Sequence, residues 1–260
     1  MSFFSVGGNA GFALGPVLAT PLVLLFGLPG ALFLVLPALV MGLVLLHELP
    51  RLLSFHPEAV GGEGDRQEAT TPDLWWPFSR MIGVVTVRSF VYFGLVTFVA
   101  SYYIRELGTS PGLANAALAV MLFAGAAGTL ALGGVADRFG RRSVLVVTML
   151  VLAPLIYAFT LVGPLTGLVF LALIDAVTIG TFGVTTVLGQ EYLPGRIGVA
   201  AGITMGLSIG LGGLGAPLLG AFADAYGFST MLLALAALPP IGLILALTLP
   251  GNPRKPLSKT

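Results

Sequence analysis

The sequence predicts an all-α, polytopic membrane protein built as a helix bundle with about eight transmembrane helices. Charged residues make up only 9% of the chain, against roughly 25% in soluble domains. Apolar residues reach 57%, and the mean hydropathy is +1.01. The few charges stand in short groups between long apolar stretches. A soluble core cannot enclose that much apolar surface, so the lipid bilayer is the expected solvent and partner.

A helix needs about 20 apolar residues to cross the roughly 30 Å hydrocarbon layer. Eight largely uncharged stretches of this length lie between charges or Gly/Pro turns. They predict helices at about Phe3–Phe26, Pro29–Leu46, Pro77–Ile104, Leu113–Val135, Ser143–Val162, Leu165–Leu188, Ile197–Ala223 and Ser229–Leu249. Only Gly163-Pro164 divides the fifth helix from the sixth.

The distribution of positive charge predicts the orientation. If these helices alternate through the membrane, Arg105 alone falls on one side and ten Lys and Arg residues fall on the other. Cytoplasmic loops carry such an excess of positive charge. We therefore expect both termini on the cytoplasmic side of a bacterial inner membrane, with the polar segment before Trp76 on the same side.

Composition also bears on other classes of function. A net charge of +1 provides no basic face for nucleic acid. The chain has no cysteine and only two histidines, and neither histidine has metal-ligand spacing. Ser, His and acidic residues do not assemble into a nucleophile with a base, and no phosphate-binding Gly loop appears. We expect no enzyme activity, metal, cofactor or nucleic-acid partner.

An internal similarity suggests how the helices are grouped. Residues Gly27–Pro50 align without a gap with Gly227–Pro250, so the first two helices resemble the last two in the same orientation. A parallel repeat of this kind occurs in membrane transporters; the alternative is two apolar hairpins of similar length. A true repeat predicts the last two helices of an N-terminal half at 1–50, a cytoplasmic linker at 51–76, a six-helix C-terminal half at 77–250 and a tail at 251–260.

The loop between the fourth and fifth helices reads Gly-Gly-Val-Ala-Asp-Arg-Phe-Gly-Arg-Arg over residues 133–142. It resembles the G-x-x-x-D-R-x-G-R-R signature loop of the major facilitator superfamily of secondary transporters. The resemblance implies helices five to twelve of a twelve-helix fold, lacking the first four. It also implies a gating loop made by Gly133, Asp137, Arg138, Gly140, Arg141 and Arg142. The alternative is a simple basic turn that sets topology.

The first helix carries a second resemblance. Gly11, Gly15 and Pro16 resemble the G-x-x-x-G-P motif of efflux members of the superfamily, without its usual trailing glycines. The alternative is a generic tight packing face with a proline kink. The stretches Phe4–Gly11 and Val87–Gly94 look like the fosmidomycin-resistance branch.

Two charged residues stand near the middle of predicted helices, Arg88 in the third and Asp175 in the sixth. Such charges usually indicate a partner, a wet cavity or a proton site. The spacing places Thr178, Phe182 and Thr185 on the helical face of Asp175, and Tyr92 one turn beyond Arg88. The resemblance implies that both helices line the central cavity.

Arg88 is expected to anchor an anionic or polar substrate group. Asp175 is expected to accept a proton or to act as the counter-ion of Arg88, so that substrate and proton compete; the alternative is a structural ion pair. The sequence therefore predicts secondary active transport of a small molecule, in the form of proton-coupled drug or metabolite efflux. A truncated, non-transporting remnant and a membrane subunit acting by helix association are the alternatives.

Overall fold

The computed structural model describes residues 22, 32–33, 35–54 and 72–251 of the chain. The helices whose bounds are given below lie in these residues, and no strand occurs among them. A short 3-10 helix spans Pro194–Arg196. The α-helices are α1 (Val35–Ser54), α2 (Trp75–Arg105), α3 (Pro111–Phe139), α4 (Arg141–Leu161), α5 (Pro164–Gly180), α6 (Phe182–Tyr192), α7 (Ile197–Tyr226), α8 (Phe228–Ala236) and α9 (Pro239–Leu247). The predicted all-α fold class is confirmed.

Six segments of the described part are long and apolar enough to cross a bilayer. They are α2, α3, α4, the pair α5 and α6, α7 with its preceding 3-10 turn, and the pair α8 and α9. These six segments correspond, in the same order, to the third to eighth predicted helices. The chain is therefore a multi-pass membrane protein.

The N-terminal predictions extend beyond the described residues. The first predicted helix, Phe3–Phe26, lies outside them apart from residue 22, as do Gly11, Gly15 and Pro16. The second predicted helix corresponds in part to α1, which continues to Ser54 and so enters the predicted linker. The count of eight helices and the domain boundaries stay predictions.

Local sequence explains where several of the membrane helices begin and end. Ser110 caps α3 by accepting a hydrogen bond from the Leu113 N–H at 3.3 Å, and Pro111 occupies the first helical position, where its missing N–H costs nothing. Gly140 and Gly227 adopt φ of +89° and +84°, a conformation that favours glycine. These two glycines turn the chain between α3 and α4 and between α7 and α8.

Two of the predicted membrane helices are interrupted rather than continuous. The sixth breaks at Thr181, whose hydroxyl donates to the Thr178 carbonyl at 2.9 Å and so competes with the helical hydrogen-bond ladder. The eighth breaks before Pro239, because proline has no N–H to continue the ladder. The first break divides the residues of the candidate site between two helices.

Glycine contacts hold the bundle together. A Cβ atom added at Gly128 of α3 would overlap the backbone of Ala176 on α5, and one at Gly180 of α5 would lie 2.7 Å from the Gly128 carbonyl oxygen. In α7, Gly212 and Gly215 receive the rings of two phenylalanines of α2. Small residues let membrane helices approach closely where no hydrophobic effect drives them together. These contacts set the positions of α2, α3, α5 and α7 around the site.

Gly128→Ala is expected to destabilise the bundle. The new methyl group meets backbone rather than a movable side chain, and overpacking of this kind costs about 1–3 kcal/mol. Gly134→Ala is the matched control on the same helix, because nothing lies within 4 Å of a Cβ atom there. Thermal unfolding of the purified chain should show a lower melting temperature for the first variant and no decrease for the second. Equal melting temperatures would contradict the packing that we describe.

Candidate functional site

Arg88 lies in the middle of α2 and is buried, with 3% of its surface exposed. Its Nη1 donates to Thr185 Oγ1 of α6 at 3.2 Å, and its Nη2 donates to Ser208 Oγ of α7 at 3.1 Å. The guanidinium carbon lies 5.1 Å from the centre of the Phe182 ring, within cation–π range. Three helices thus converge on one buried cation.

The hydroxyl groups around Arg88 are oriented to accept hydrogen bonds from it. Ser208 donates its own proton to the Thr204 carbonyl at 2.6 Å, and Thr185 donates to the Phe182 carbonyl at 2.9 Å. Their oxygen lone pairs are therefore available to the guanidinium. A guanidinium has five N–H donors, and these two bonds use only two. The site can offer further donors to an anionic ligand.

Asp175 of α5 is the second buried charge, with 1% of its surface exposed. Its Oδ2 has no hydrogen-bond partner among the described residues. The carboxylate occupies the space that a side chain at position 125 of α3 would fill, because a Cβ atom on Gly125 would overlap Oδ2. Gly125 therefore creates the niche that holds this carboxylate.

Arg88 and Asp175 do not form an ion pair in the part of the chain that the structure describes. Tyr92 of α2, which is half-buried, lies within electrostatic reach of both charges. The two charged groups therefore both act electrostatically on this tyrosine, and they are not paired with each other. This geometry gives no support to the counter-ion alternative.

The predicted stripe on the sixth helix is divided by the break at Thr181. Phe182 and Thr185 follow the break on α6 and contact Arg88. Asp175 and Thr178 precede it on α5, and the Thr178 hydroxyl donates to the carbonyl of Ile174 at 2.6 Å. Within the predicted stripe, the two residues after the break contact the arginine, and the two before it have no described hydrogen bond or ring contact with it.

Sequence reasoning missed Ser208 and Gly125, which contribute directly to the surroundings of the two charges. Ser208 follows Thr204 by one turn in a helix otherwise made largely of Gly, Ala, Leu and Ile, and this pair of hydroxyls was the available signal. No signal in the sequence marked Gly125, because it is one of 36 glycines in the chain. Its role depends on what the neighbouring helix presents to it.

The signature loop connects three helices by charged contacts at one end of the bundle. Arg141, at the start of α4, lies 3.6 Å from Asp137 of α3 and forms an ion pair with Glu191 of α6. Arg142 donates through Nη2 to the Leu247 carbonyl at the end of α9, at 2.6 Å. Arg138 is exposed. The loop therefore links the end of α3 to α6 and α9.

A small cavity of about 110 Å³ lies beside this loop, between α3 and the α5–α6 break. Gly133, Asp137 and Arg141 line it together with Gly180 and Gly183, the two glycines that flank the break. Gly140 provides the positive-φ turn described above. Three of the six predicted gating residues thus lie beside the interruption that separates Asp175 from Phe182 and Thr185.

Comparison with known proteins agrees with this arrangement. The model of the Major Facilitator Superfamily matches residues 1–214 and 88–260. The chain is 32% identical over 257 residues to the uncharacterized MFS-type transporter YfnC of Bacillus subtilis (strain 168), covering 96% of this chain and 62% of that protein. It is 33% identical over 265 residues to the fosmidomycin resistance protein of Escherichia coli (strain K12), covering 98% of this chain and 63% of that protein.

The chain thus spans less than two thirds of the length of these two relatives. The family matches nevertheless extend over all of its 260 residues. They include the loop of residues 133–142, whose likeness to the superfamily signature was noted from the sequence. With its bundle of apolar helices and its buried charges, the chain belongs to the major facilitator superfamily.

Proposed function

We propose that this chain carries the substrate and proton sites of a secondary active transporter that exports a small molecule in exchange for protons. The observation that supports this most directly is Arg88, buried among hydroxyl groups with N–H donors to spare. A cation placed in an apolar helix is costly, and a structural role would normally bring a carboxylate to it. Neutral partners leave its charge available to an anionic substrate group.

Asp175 is the proton site in this proposal. Its Oδ2, which has no hydrogen-bond partner among the described residues, accepts a hydrogen bond from a donor group of the substrate when the carboxylate is ionised. Protonation of Oδ2 removes the negative charge and turns this oxygen into a donor, so proton and substrate compete for the site. Tyr92 is influenced electrostatically by both charges, so it is the third residue of the proposed site. The substrate class is therefore a small molecule with an anionic group and a separate hydrogen-bond donor.

Alternation between the two sides of the membrane needs two halves that move about a shared site. We assign residues 77–250 to the six-helix C-terminal half, residues 1–50 to the last two helices of the other half, and residues 51–76 to their linker. The linker and both termini lie on the cytoplasmic side of a bacterial inner membrane, because the basic loops collect there. The Arg141 contacts to Asp137 and Glu191 hold the cytoplasmic ends of α3, α4 and α6 together, and their release accompanies opening.

Fosmidomycin is a suitable first probe, because one relative is named for resistance to it. The full chain, reconstituted into liposomes that hold a pH gradient, is expected to dissipate the gradient faster when fosmidomycin is added. It is also expected to show a higher melting temperature with the compound. Empty liposomes and liposomes with an unrelated helical membrane protein are the controls. Absence of both effects, with fosmidomycin and with a panel of small anionic drugs, would contradict the proposal.

A further inference from the structure

An open groove of about 480 Å³ lies on the outer side of the bundle, where α3, α4 and α5 meet. We call it the α4 groove. Its surface is almost wholly apolar, and its lining comes from Leu132, Val135 and Phe139 of α3, Ser143, Val144, Val147, Thr148 and Val151 of α4, and Val177 of α5. Phe139 and Val147 are exposed, at 71% and 57%. Because the surrounding helices cross the membrane, this groove opens to lipid.

The groove differs in polarity along its length. The N-terminus of α4 lies at the end next to the 133–142 loop, with Ser143 in its first turn. No side chain of the described residues caps it. Unpaired N–H groups at a helix N-terminus attract anions. Arg138 lies one turn beyond Val135, on the same side of α3. The end of the groove away from this loop is lined mainly by valines.

Arg138 is available for an anion, while its neighbours are engaged. Arg141 pairs with Asp137 and Glu191, and Arg142 donates to the Leu247 carbonyl. Arg138 is exposed and has no ion-pair partner in the described part of the chain. The acid of this turn, Asp137, is already neutralised by Arg141, so the end of the groove carries a net positive charge.

Thr148 adds a polar group deeper in the groove. Its side chain is buried, with 3% exposed, it lines the groove, and its hydroxyl has no hydrogen-bond partner among the described residues. It lies about 7.5 Å further along α4 than Ser143, at 1.5 Å per residue. A phospholipid has this order of groups, with a phosphate first, an ester carbonyl below it and then an acyl chain.

We propose that the α4 groove binds one anionic phospholipid of the leaflet that holds the 133–142 loop. Its phosphate lies at the N-terminus of α4 beside Arg138 and Ser143, an ester carbonyl accepts a hydrogen bond from Thr148, and one acyl chain fills the apolar part. The cytoplasmic leaflet is rich in anionic lipid, and it is the leaflet expected to face this loop. The lipid would brace α3 and α4 at the gating loop.

Quenching of tryptophan fluorescence by brominated lipids tests this proposal. The chain has only two tryptophans, Trp75 and Trp76, so a Trp75→Phe, Trp76→Phe, Phe139→Trp variant has one reporter at the edge of the groove. It is reconstituted in phosphatidylcholine with a small, equal fraction of either brominated phosphatidylglycerol or brominated phosphatidylcholine. A Trp75→Phe variant that keeps Trp76, at the same end of the bundle on α2, is the matched control reporter.

The Phe139→Trp reporter is expected to show about fivefold preference for the anionic lipid, the effect of one arginine beside an anionic headgroup, and Trp76 a smaller one. Adding Arg138→Gln should remove most of the difference, whereas Arg105→Gln, the same charge change at the opposite end of α2, should leave it intact. Equal quenching of the Phe139→Trp reporter by both lipids would overturn the proposal. So would a preference that survives Arg138→Gln.

Discussion

Arg88→Gln is expected to lower the affinity for an anionic substrate by about 10- to 150-fold, the effect of losing one charged hydrogen bond. Glutamine keeps a polar side chain of similar reach beside Thr185 and Ser208 but removes the positive charge. Binding is measured on the purified full chain by calorimetry or by the substrate-induced change in melting temperature. Arg105→Gln, at the exposed end of the same helix, is the matched control and should bind as the original chain does.

A merely structural Arg88 would give a different result. If the arginine served only to tie α2 to α6 and α7, the variant would melt at a lower temperature and bind normally once folded. In the substrate-anchor role, affinity falls while the melting temperature changes little, because the variant loses two hydrogen bonds but also the cost of about 2.5–3.5 kcal/mol of placing a charge in a membrane helix. Unchanged affinity in Arg88→Gln would therefore refute the anchor role.

Arg88→Lys separates charge from geometry. The guanidinium reaches Thr185 and Ser208 with two different nitrogens, and the single nitrogen of lysine cannot reproduce that fork. Lysine is expected to restore part of the lost affinity. Ser208→Ala, which removes one protein partner and leaves the cation, is expected to retain binding.

Much of the fold was predictable from the sequence because the bilayer imposes a simple rule. An apolar stretch of about 20 residues must form a helix, since unpaired backbone groups cannot face lipid. The third to eighth predicted helices follow from that rule. Even the division at Gly163-Pro164 appears in the structure, because proline begins a helix readily and cannot continue one.

The interruptions within helices were not predictable in the same way. The break at Thr181 involves a threonine hydroxyl and the two neighbouring glycines, in a stretch whose hydropathy is continuous with its surroundings. A hydropathy profile cannot distinguish it from an unbroken helix. The predicted face of Asp175 assumed one uninterrupted helical period, and the break divides its residues between α5 and α6.

The two buried charges were found because they are rare in apolar helices. Thr185 was predicted on the face of Asp175 and not as a partner of Arg88, and Ser208 was not predicted at all. Thr185 accepts from Arg88 across 97 positions of the chain, and Ser208 does so across 120. Such contacts depend on which helices pack together, which one sequence does not state. The role of Gly125 also depends on helix packing, because it makes room for the carboxylate of Asp175 by having no side chain.

Asp175→Asn is expected to uncouple substrate movement from protons. Asparagine retains the size of the carboxylate in the niche beside Gly125 but cannot gain or lose a proton. In liposomes with a pH gradient, the variant should no longer accumulate substrate against its concentration gradient, and net exchange in the absence of any gradient should lose its pH dependence. Coupled transport should fall at least about 100-fold, as expected when an essential proton-transfer group is lost.

The stability of the same variant provides an independent measurement. Oδ2 is buried without a hydrogen-bond partner in the described residues, so a neutral amide removes the cost of placing a charge there. Asp175→Asn should therefore melt at the same or a higher temperature while coupling is lost. Asp224→Asn, an exposed acid on α7, should change neither property. Proton-driven accumulation that persists in Asp175→Asn would exclude this carboxylate as the proton site and would leave the coupling group to be sought on other helices.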